Sequence, residues 1–248
     1  MTVTKVCVLT GALGAVGSAT VKVFEEAGRT VDGWDIAAVG GEGNSARRVD
    51  VTVSQDVEEA AAAVLEEHGR VDALVNNAAI QVNRSLLDTD DDAWNEVLST
   101  NLSGAFHCTR ALASALTNTA GAIVNVSSVH AIASSPNAGA YAVSKGALVT
   151  LTRVAALELG ALGVRCNAVL PGAIDSPMLR DGLSRRPHVR GPDGNLDELR
   201  ARTPLGSIAS PTDVARSILL LADSDATPFI TGAAMVVDGG ATLRLATE

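Results

Sequence analysis

Tyr141 and Lys145 are the residues of this chain best suited to moving a proton. Tyr141 is the only tyrosine in 248 residues, and Lys145 is one of three lysines, with Lys5 and Lys22, against sixteen arginines. They stand four apart in Tyr141-Ala142-Val143-Ser144-Lys145. On a helix that spacing puts both on one face. A phenol at its ordinary pKa of about 10 is a poor base at neutral pH. A nearby ammonium favours the phenolate and lowers that pKa. The pair therefore reads as a tuned acid/base if a cofactor pocket lies beside it. A solvated helix-surface pair is the plainer alternative, and the surrounding elements must decide.

Thr10-Gly11-Ala12-Leu13-Gly14-Ala15-Val16-Gly17 follows the apolar run Val6-Cys7-Val8-Leu9 and opens a helical pattern. A strand thus enters a tight turn and then a helix N-terminus. Small residues there let the backbone approach a pyrophosphate, and the helix end offers free N–H groups and a positive dipole. Gly11, Leu13, Gly14, Ala15, Val16 and Gly17 are the candidate contacts. Asp35 lies eighteen residues after Gly17 and ends the next expected strand. A carboxylate there accepts adenosine ribose hydroxyls and repels a 2′-phosphate. Ile36-Ala37-Ala38 follow without a basic residue, so NAD is expected rather than NADP. An exposed turn aspartate is the alternative.

The apolar runs predict strands over 6–9, 31–36, 46–49, 71–75, 122–126, 164–170 and 233–237, and helices over 15–27, 54–68, 90–117, 140–162 and 211–222. This alternation predicts an α/β Rossmann fold in a single domain, 1–248. It is a doubly wound parallel sheet of about seven strands with helices on both faces. Ligands in such sheets bind beyond the carboxyl ends of the strands. The candidate segments are therefore 10–17, 35, 50, 76–79, 127–130 and 171–178.

The bulk composition narrows the classes. A net charge of −9 argues against a broad nucleic-acid surface. Apolar residues make up 47% of the chain, enough for a substantial core, yet no run approaches the ~18 residues of a membrane span. Met1 to Lys5 lack a signal-peptide pattern. Cys7, Cys108 and Cys166 are far apart in apolar surroundings, which suits free thiols in a reducing cytoplasm. His68, His107, His130 and His188 show no metal-ligand spacing, and no metal is expected. The motifs of zinc peptidases and of serine-hydrolase elbows are absent.

Read in order, these segments resemble the short-chain dehydrogenase/reductase family nearly end to end. The family's glycine motif matches Thr10 to Gly17, and its segment at the adenine matches Asp50-Val51. Its Asn-Asn-Ala-Gly matches Asn76-Asn77-Ala78-Ala79, with alanine in the last place. Its catalytic asparagine matches Asn101, its serine Ser128, and its Tyr-x-x-x-Lys Tyr141 and Lys145. Its Pro-Gly segment beside the nicotinamide matches Pro171-Gly172-Ala173-Ile174, with Ser176 where threonine is usual, and a terminal Asp-Gly-Gly matches Asp238-Gly239-Gly240.

The resemblance implies an NAD-dependent dehydrogenase of a secondary alcohol, such as a sugar, polyol, hydroxysteroid or cyclic alcohol. In that role Tyr141 is the acid/base, and Lys145 favours the phenolate and holds the nicotinamide ribose. Ser128 bonds the substrate oxygen, and Asn101 fixes a water that relays the proton. Asp50, Val51, Asn77, Ala78, Ala79, Pro171, Gly172, Ile174 and Ser176 join the cofactor contacts. Alternatives are a 3-oxoacyl-thioester reductase, against which Asp35 argues, and a non-catalytic dinucleotide-binding regulator. The resemblance also implies a homotetramer and a substrate lid over about 178–206. Arg180, Arg185, Arg186, Arg190, Arg200 and Arg202 fall in the lid. They could recognise a substrate carboxylate or phosphate, but interleaved acids favour a solvated face.

Overall fold

The computed structural model describes residues 4–38, 46–185 and 187–243. Within them β1 (Val6–Thr10), β2 (Thr30–Asp35), β3 (Ala46–Arg48), β4 (Ala73–Asn76), β5 (Ala122–Val126), β6 (Arg165–Pro171) and β7 (Ala234–Val237) form one sheet. The helices are α1 (Ala15–Glu26), α2 (Ser54–His68), α3 (Asp91–Leu98), α4 (Gly104–Thr119), α5 (Gly139–Gly160), α6 (Pro177–Ser184), α7 (Gly191–Arg202) and α8 (Pro211–Ala222). The strand order is β3-β2-β1-β4-β5-β6-β7, and every pair is parallel. The chain winds outward from β1 to β3, then returns to lay β4 on the other side of β1. The crevice of a doubly wound sheet opens at that reversal.

Successive side chains of a strand point to opposite faces. Cys7 and Leu9 of β1 join Val75, Val124 and Val169 beneath Phe24 of α1 and Ile218 and Leu221 of α8. Val8 points the other way and joins Leu74, Ile123 and Cys166 against Val64 of α2, Leu112 of α4 and Ala156 of α5. Apolar runs rather than alternating strands result, because both faces are covered.

Two expectations need correction. The single helix over 90–117 is two helices, α3 and α4, joined by a π-helical turn at Ser99–Ser103 that carries Asn101. The Asn101 side chain bonds the Ile80 backbone and Ser144 outside its own helix, a demand that hydrophobic periodicity cannot reveal. Such turns often mark functional sites. The expected lid over about 178–206, where no helix was predicted, holds α7 and all but the first residue of α6. Among its prolines Pro192 opens a helix, as Pro177 does just before the stretch. Pro177 and Pro192 lie in first helical turns, where the missing N–H costs no bond. The Ser176 hydroxyl caps α6 by accepting from Leu179 N at 3.3 Å. Both ends of this insertion meet at the sheet, where Ala209 N donates to Ala173 O (3.0 Å) and Asp175 N to Ala209 O (2.9 Å).

Candidate active site

The glycine turn and the segment after β4 are laced together by backbone chemistry. Thr10 Oγ1 accepts from Asn77 N and Ala78 N, each at 3.0 Å, while Asn77 Nδ2 donates to Thr10 O and Gly11 O. Gly11 has φ +64°, and a Cβ there would lie 2.8 Å from Ala78 Cα. Gly17 is needed for a different reason. A Cβ on it would lie 2.0 Å from Gly11 O, so only glycine lets α1 start against the turn. Asp35 braces the turn from β2. Its Oδ2 accepts from Leu13 N and its Oδ1 from Ala37 N, both at 2.9 Å.

These segments open onto a cavity of about 730 Å³. Gly11, Gly14, Ala15, Val16, Asp35, Asp50, Val51, Asn77, Ala78 and Ala79 line it, as do Ser128, Tyr141, Lys145, Pro171, Gly172, Ile174 and Ser176. Leu13, Gly17 and Asn101 do not reach its wall among the described residues. Leu13 offers its N–H to Asp35, Gly17 supplies room behind the turn, and Asn101 is buried. Ser127, Pro177 and Met178, inside the candidate segments 127–130 and 171–178, also line it, and sequence reasoning missed Trp34, Ile36, Val49, Thr52, Ile80 and Val126. Most are immediate neighbours of predicted contacts and could have been found that way. Glu96 and Thr100 line it too; Thr100 adjoins the predicted Asn101, whereas Glu96 lies one turn earlier, where no local signal pointed to it.

Ser128, just beyond β5, and Tyr141, on α5, both line the cavity, and the Ser128 hydroxyl acts to lower the phenol's pKa. Ser128 Oγ also accepts from His130 N (3.2 Å), and the His130 ring stands edge-on to Tyr141 at 5.6 Å. The Lys145 ammonium lies 5.6 Å from the centroid of the Tyr141 ring and donates to Val126 O at 2.8 Å. Ser127 Oγ donates to Lys145 O (2.8 Å), so successive residues of β5 and its exit hold α5 in register.

The protonation states differ from expectation. Burial pushes the Tyr141 phenol above its ordinary pKa, and the Ser128 hydroxyl only partly opposes this. Burial also lowers Lys145 to about 7. A largely desolvated lysine bonded to a carbonyl does not carry the full charge that was to lower the phenol. The Asn101 side chain is bonded within the protein. Its Oδ1 accepts from Ile80 N (2.8 Å), and its Nδ2 donates to Ile80 O (2.9 Å) and Ser144 Oγ (3.0 Å). Those bonds tie the segment after β4 to α5, which is a positioning role.

The cavity suits a nicotinamide dinucleotide on its own geometry. No side chain caps α1 at Gly14, so its first N–H groups are open to a pyrophosphate. At the other end lie a hydroxyl pair and an amine. The lid arginines are committed elsewhere. Arg180 pairs with Asp175 (2.7 Å), Arg185 with Asp181 (2.8 Å), Arg190 and Arg200 with Asp197, and Arg202 with Glu198. Arg186 lies outside the described residues.

Comparison with known proteins agrees with this geometry. Residues 11–242 match the family model described as enoyl-(acyl carrier protein) reductase. The chain is 35% identical to a 3-oxoacyl-[acyl-carrier-protein] reductase of Thermotoga maritima, over 95% of this chain and 97% of that protein. It is 36% identical to cis-4-hydroxycyclohexanecarboxylate dehydrogenase of Sinomonas cyclohexanicum, over 96% of each. The ligand-free aldohexose dehydrogenase of Thermoplasma acidophilum superposes with a TM-score of 0.91 at 30% identity, covering 98% of this chain and 96% of that one. Other solved relatives hold different cofactors: one at 28% identity is complexed with NADH, and one at 26% has NADP bound. The motifs, the sheet order and these likenesses agree: this chain belongs to the short-chain dehydrogenase/reductase family, whose members are oxidoreductases acting on CH–OH groups.

Proposed function

We propose that the protein interconverts a secondary alcohol and its ketone with NAD as hydride carrier. The observation that carries the choice of cofactor is the charge of the cavity wall. Among the described residues it bears three carboxylates, Asp35, Asp50 and Glu96, and one cation, Lys145. Asp35 is held against the glycine turn by two backbone donors. A 2′-phosphate there would meet negative charge, and no arginine is among the described residues of the cavity wall.

When bound, the dinucleotide supplies or accepts the hydride. Tyr141 exchanges the proton of the substrate oxygen, and Ser128 donates a hydrogen bond to that oxygen as charge develops. A raised phenol pKa suits proton donation to a nascent alkoxide at neutral pH. In the oxidative direction the same group must first lose its proton, so rates should climb with alkalinity. Lys145 stands beside Tyr141 to take the nicotinamide ribose, and Asn101 braces the wall behind it. Residues 1–248 then act as one NAD-binding domain, with α6 and α7 as its substrate lid.

A sugar, polyol, hydroxysteroid or cyclic alcohol remains the preferred substrate class, since the described lid arginines are paired with nearby carboxylates. The relation to an acyl-carrier-protein reductase favours a second reading, a 3-oxoacyl-thioester reductase. Nicotinamide reduction measured with NAD⁺ and NADP⁺ across an alcohol panel, beside NADPH oxidation with a 3-oxoacyl thioester, separates the two. Turnover on alcohols with NAD⁺ supports the first reading, and turnover confined to the thioester with NADPH replaces it.

No helix among the described residues is long and apolar enough to cross a membrane. Cys7, Cys108 and Cys166 are buried free thiols, in keeping with a cytoplasmic protein. A homotetramer is part of the proposal, supported by Val154 and Leu157 on α5 and Val236 on the edge strand β7, all exposed. A monomer mass at low micromolar concentration would refute it.

A further inference from the structure

We infer that His107 is a positioning residue for the adenosine end of the cofactor, acting through Val51. The inference rests on the cofactor reading above. The cavity wall from Val49 to Thr52 has no regular secondary structure. Its shape is set locally: Asp50 Oδ1 accepts from Thr52 N (2.9 Å) and Thr52 Oγ1 (2.7 Å), and Val53 N donates to Asp50 O (3.0 Å). At its start Val49 N donates to Asp35 O (3.3 Å), which ties Val49 to β2 but leaves Val51 to be held from elsewhere. Helix α4 holds it, by two contacts on one face.

The first contact is steric. A Cβ on Gly104 would lie 2.7 Å from Val51 Cγ2 and 3.0 Å from Val51 Cβ, so only glycine lets the helix meet this valine. The second is polar and lies three residues on, which keeps it on the same side of the helix. His107 Nδ1 stands 3.0 Å from Val51 O. A carbonyl can only accept, so Nδ1 carries the proton. The helix thus holds Val51 by side chain and carbonyl together, while Val51 lines the cavity. Helix α4 begins where the π-helical turn ends. The Asn101 clamp and the Val51 grip are therefore set by one continuous piece of backbone.

Removing the imidazole leaves the part-buried Val51 carbonyl without this donor and frees the adenosine wall to shift. The test titrates NADH, ADP-ribose and reduced nicotinamide mononucleotide into the unaltered protein, His107→Ala and His107→Asn. His107→Ala should weaken NADH and ADP-ribose by a common factor of about tenfold, the equivalent of one lost hydrogen bond. Reduced nicotinamide mononucleotide has no adenosine, and its affinity should hold. His107→Asn keeps an N–H near the Nδ1 position and should restore most of the loss. Unchanged NADH binding in His107→Ala would overturn the inference. So would an equal loss for the mononucleotide, or failure of asparagine to rescue. If the unaltered protein bound no NADH, the cofactor reading itself would fall first.

Discussion

The cofactor crevice and the α6–α7 insertion both carry polar side chains, yet these are held in opposite ways. In the crevice the polar groups are buried and bonded to backbone: Thr10 on the segment after β4, Asn101 on Ile80, Lys145 on Val126. In the insertion they are long, exposed and paired with one another, as in Arg180 with Asp175 and Arg185 with Asp181. Buried polar groups must be satisfied by particular partners, whereas exposed ion pairs contribute little and can be exchanged. The first region therefore tolerates few residue types at fixed spacing, and the second tolerates many.

That contrast can be broken or sharpened by substitution. The largest effect expected is on turnover in Tyr141→Phe, which should fall by about 10²–10⁴-fold while NADH still binds. Near-normal turnover would remove Tyr141 from the chemistry. Next, Asp35→Ala should weaken NADH by about tenfold or more, since hydrogen bonds to a charged group contribute about 1.5–3 kcal/mol. It should also narrow the gap between NAD⁺ and NADP⁺ in parallel assays. An unchanged cofactor ratio would make Asp35 only a brace for the glycine turn.

Lys145 gives a smaller effect, on stability. Burial lowers its pKa to about 7, against about 10.4 in an unfolded chain. Between those values the unfolded state binds the extra proton, so this residue makes cofactor-free stability rise with pH. Below about pH 7 its burial penalty is fully present. Lys145→Met should therefore stabilise the cofactor-free protein at pH 6, by at least about 1 kcal/mol, and progressively less toward pH 10. Urea denaturation at the two pH values measures this, and an equal change at both would contradict the assignment. The smallest effect belongs to the insertion: Arg180→Ala should change stability by less than about 1 kcal/mol, because its partner Asp175 is itself exposed. A larger loss in the same denaturation assay would show that the insertion is built more like the crevice than the ion pairs suggest.

The same division explains what could be read beforehand. Strand β5 and helices α2 and α8 stand where the apolar periodicity puts them, because burial on both sheet faces leaves a strong local signature. Gly11 and Asp35 were recognisable because a tight turn after a strand and a carboxylate at a strand end each demand one kind of residue. The insertion misled because proline can open a helix as readily as it ends one, and only the Ser176 cap and the tie at Ala209 decide which.

What the chain by itself determined is the alternation of strands and helices, the glycine turn, and the pairing of Tyr141 with Lys145, since each follows from neighbours within a few residues. What only the tertiary structure decided is how those groups are charged and held. The phenol rises and the lysine falls because the fold removes water from both. Asn101 is spent on Ile80 and Ser144, and Glu96 reaches the cavity, because helices distant in sequence close over the sheet. Desolvation and long-range contact depend on the whole assembled molecule, and no local pattern of residues encodes them.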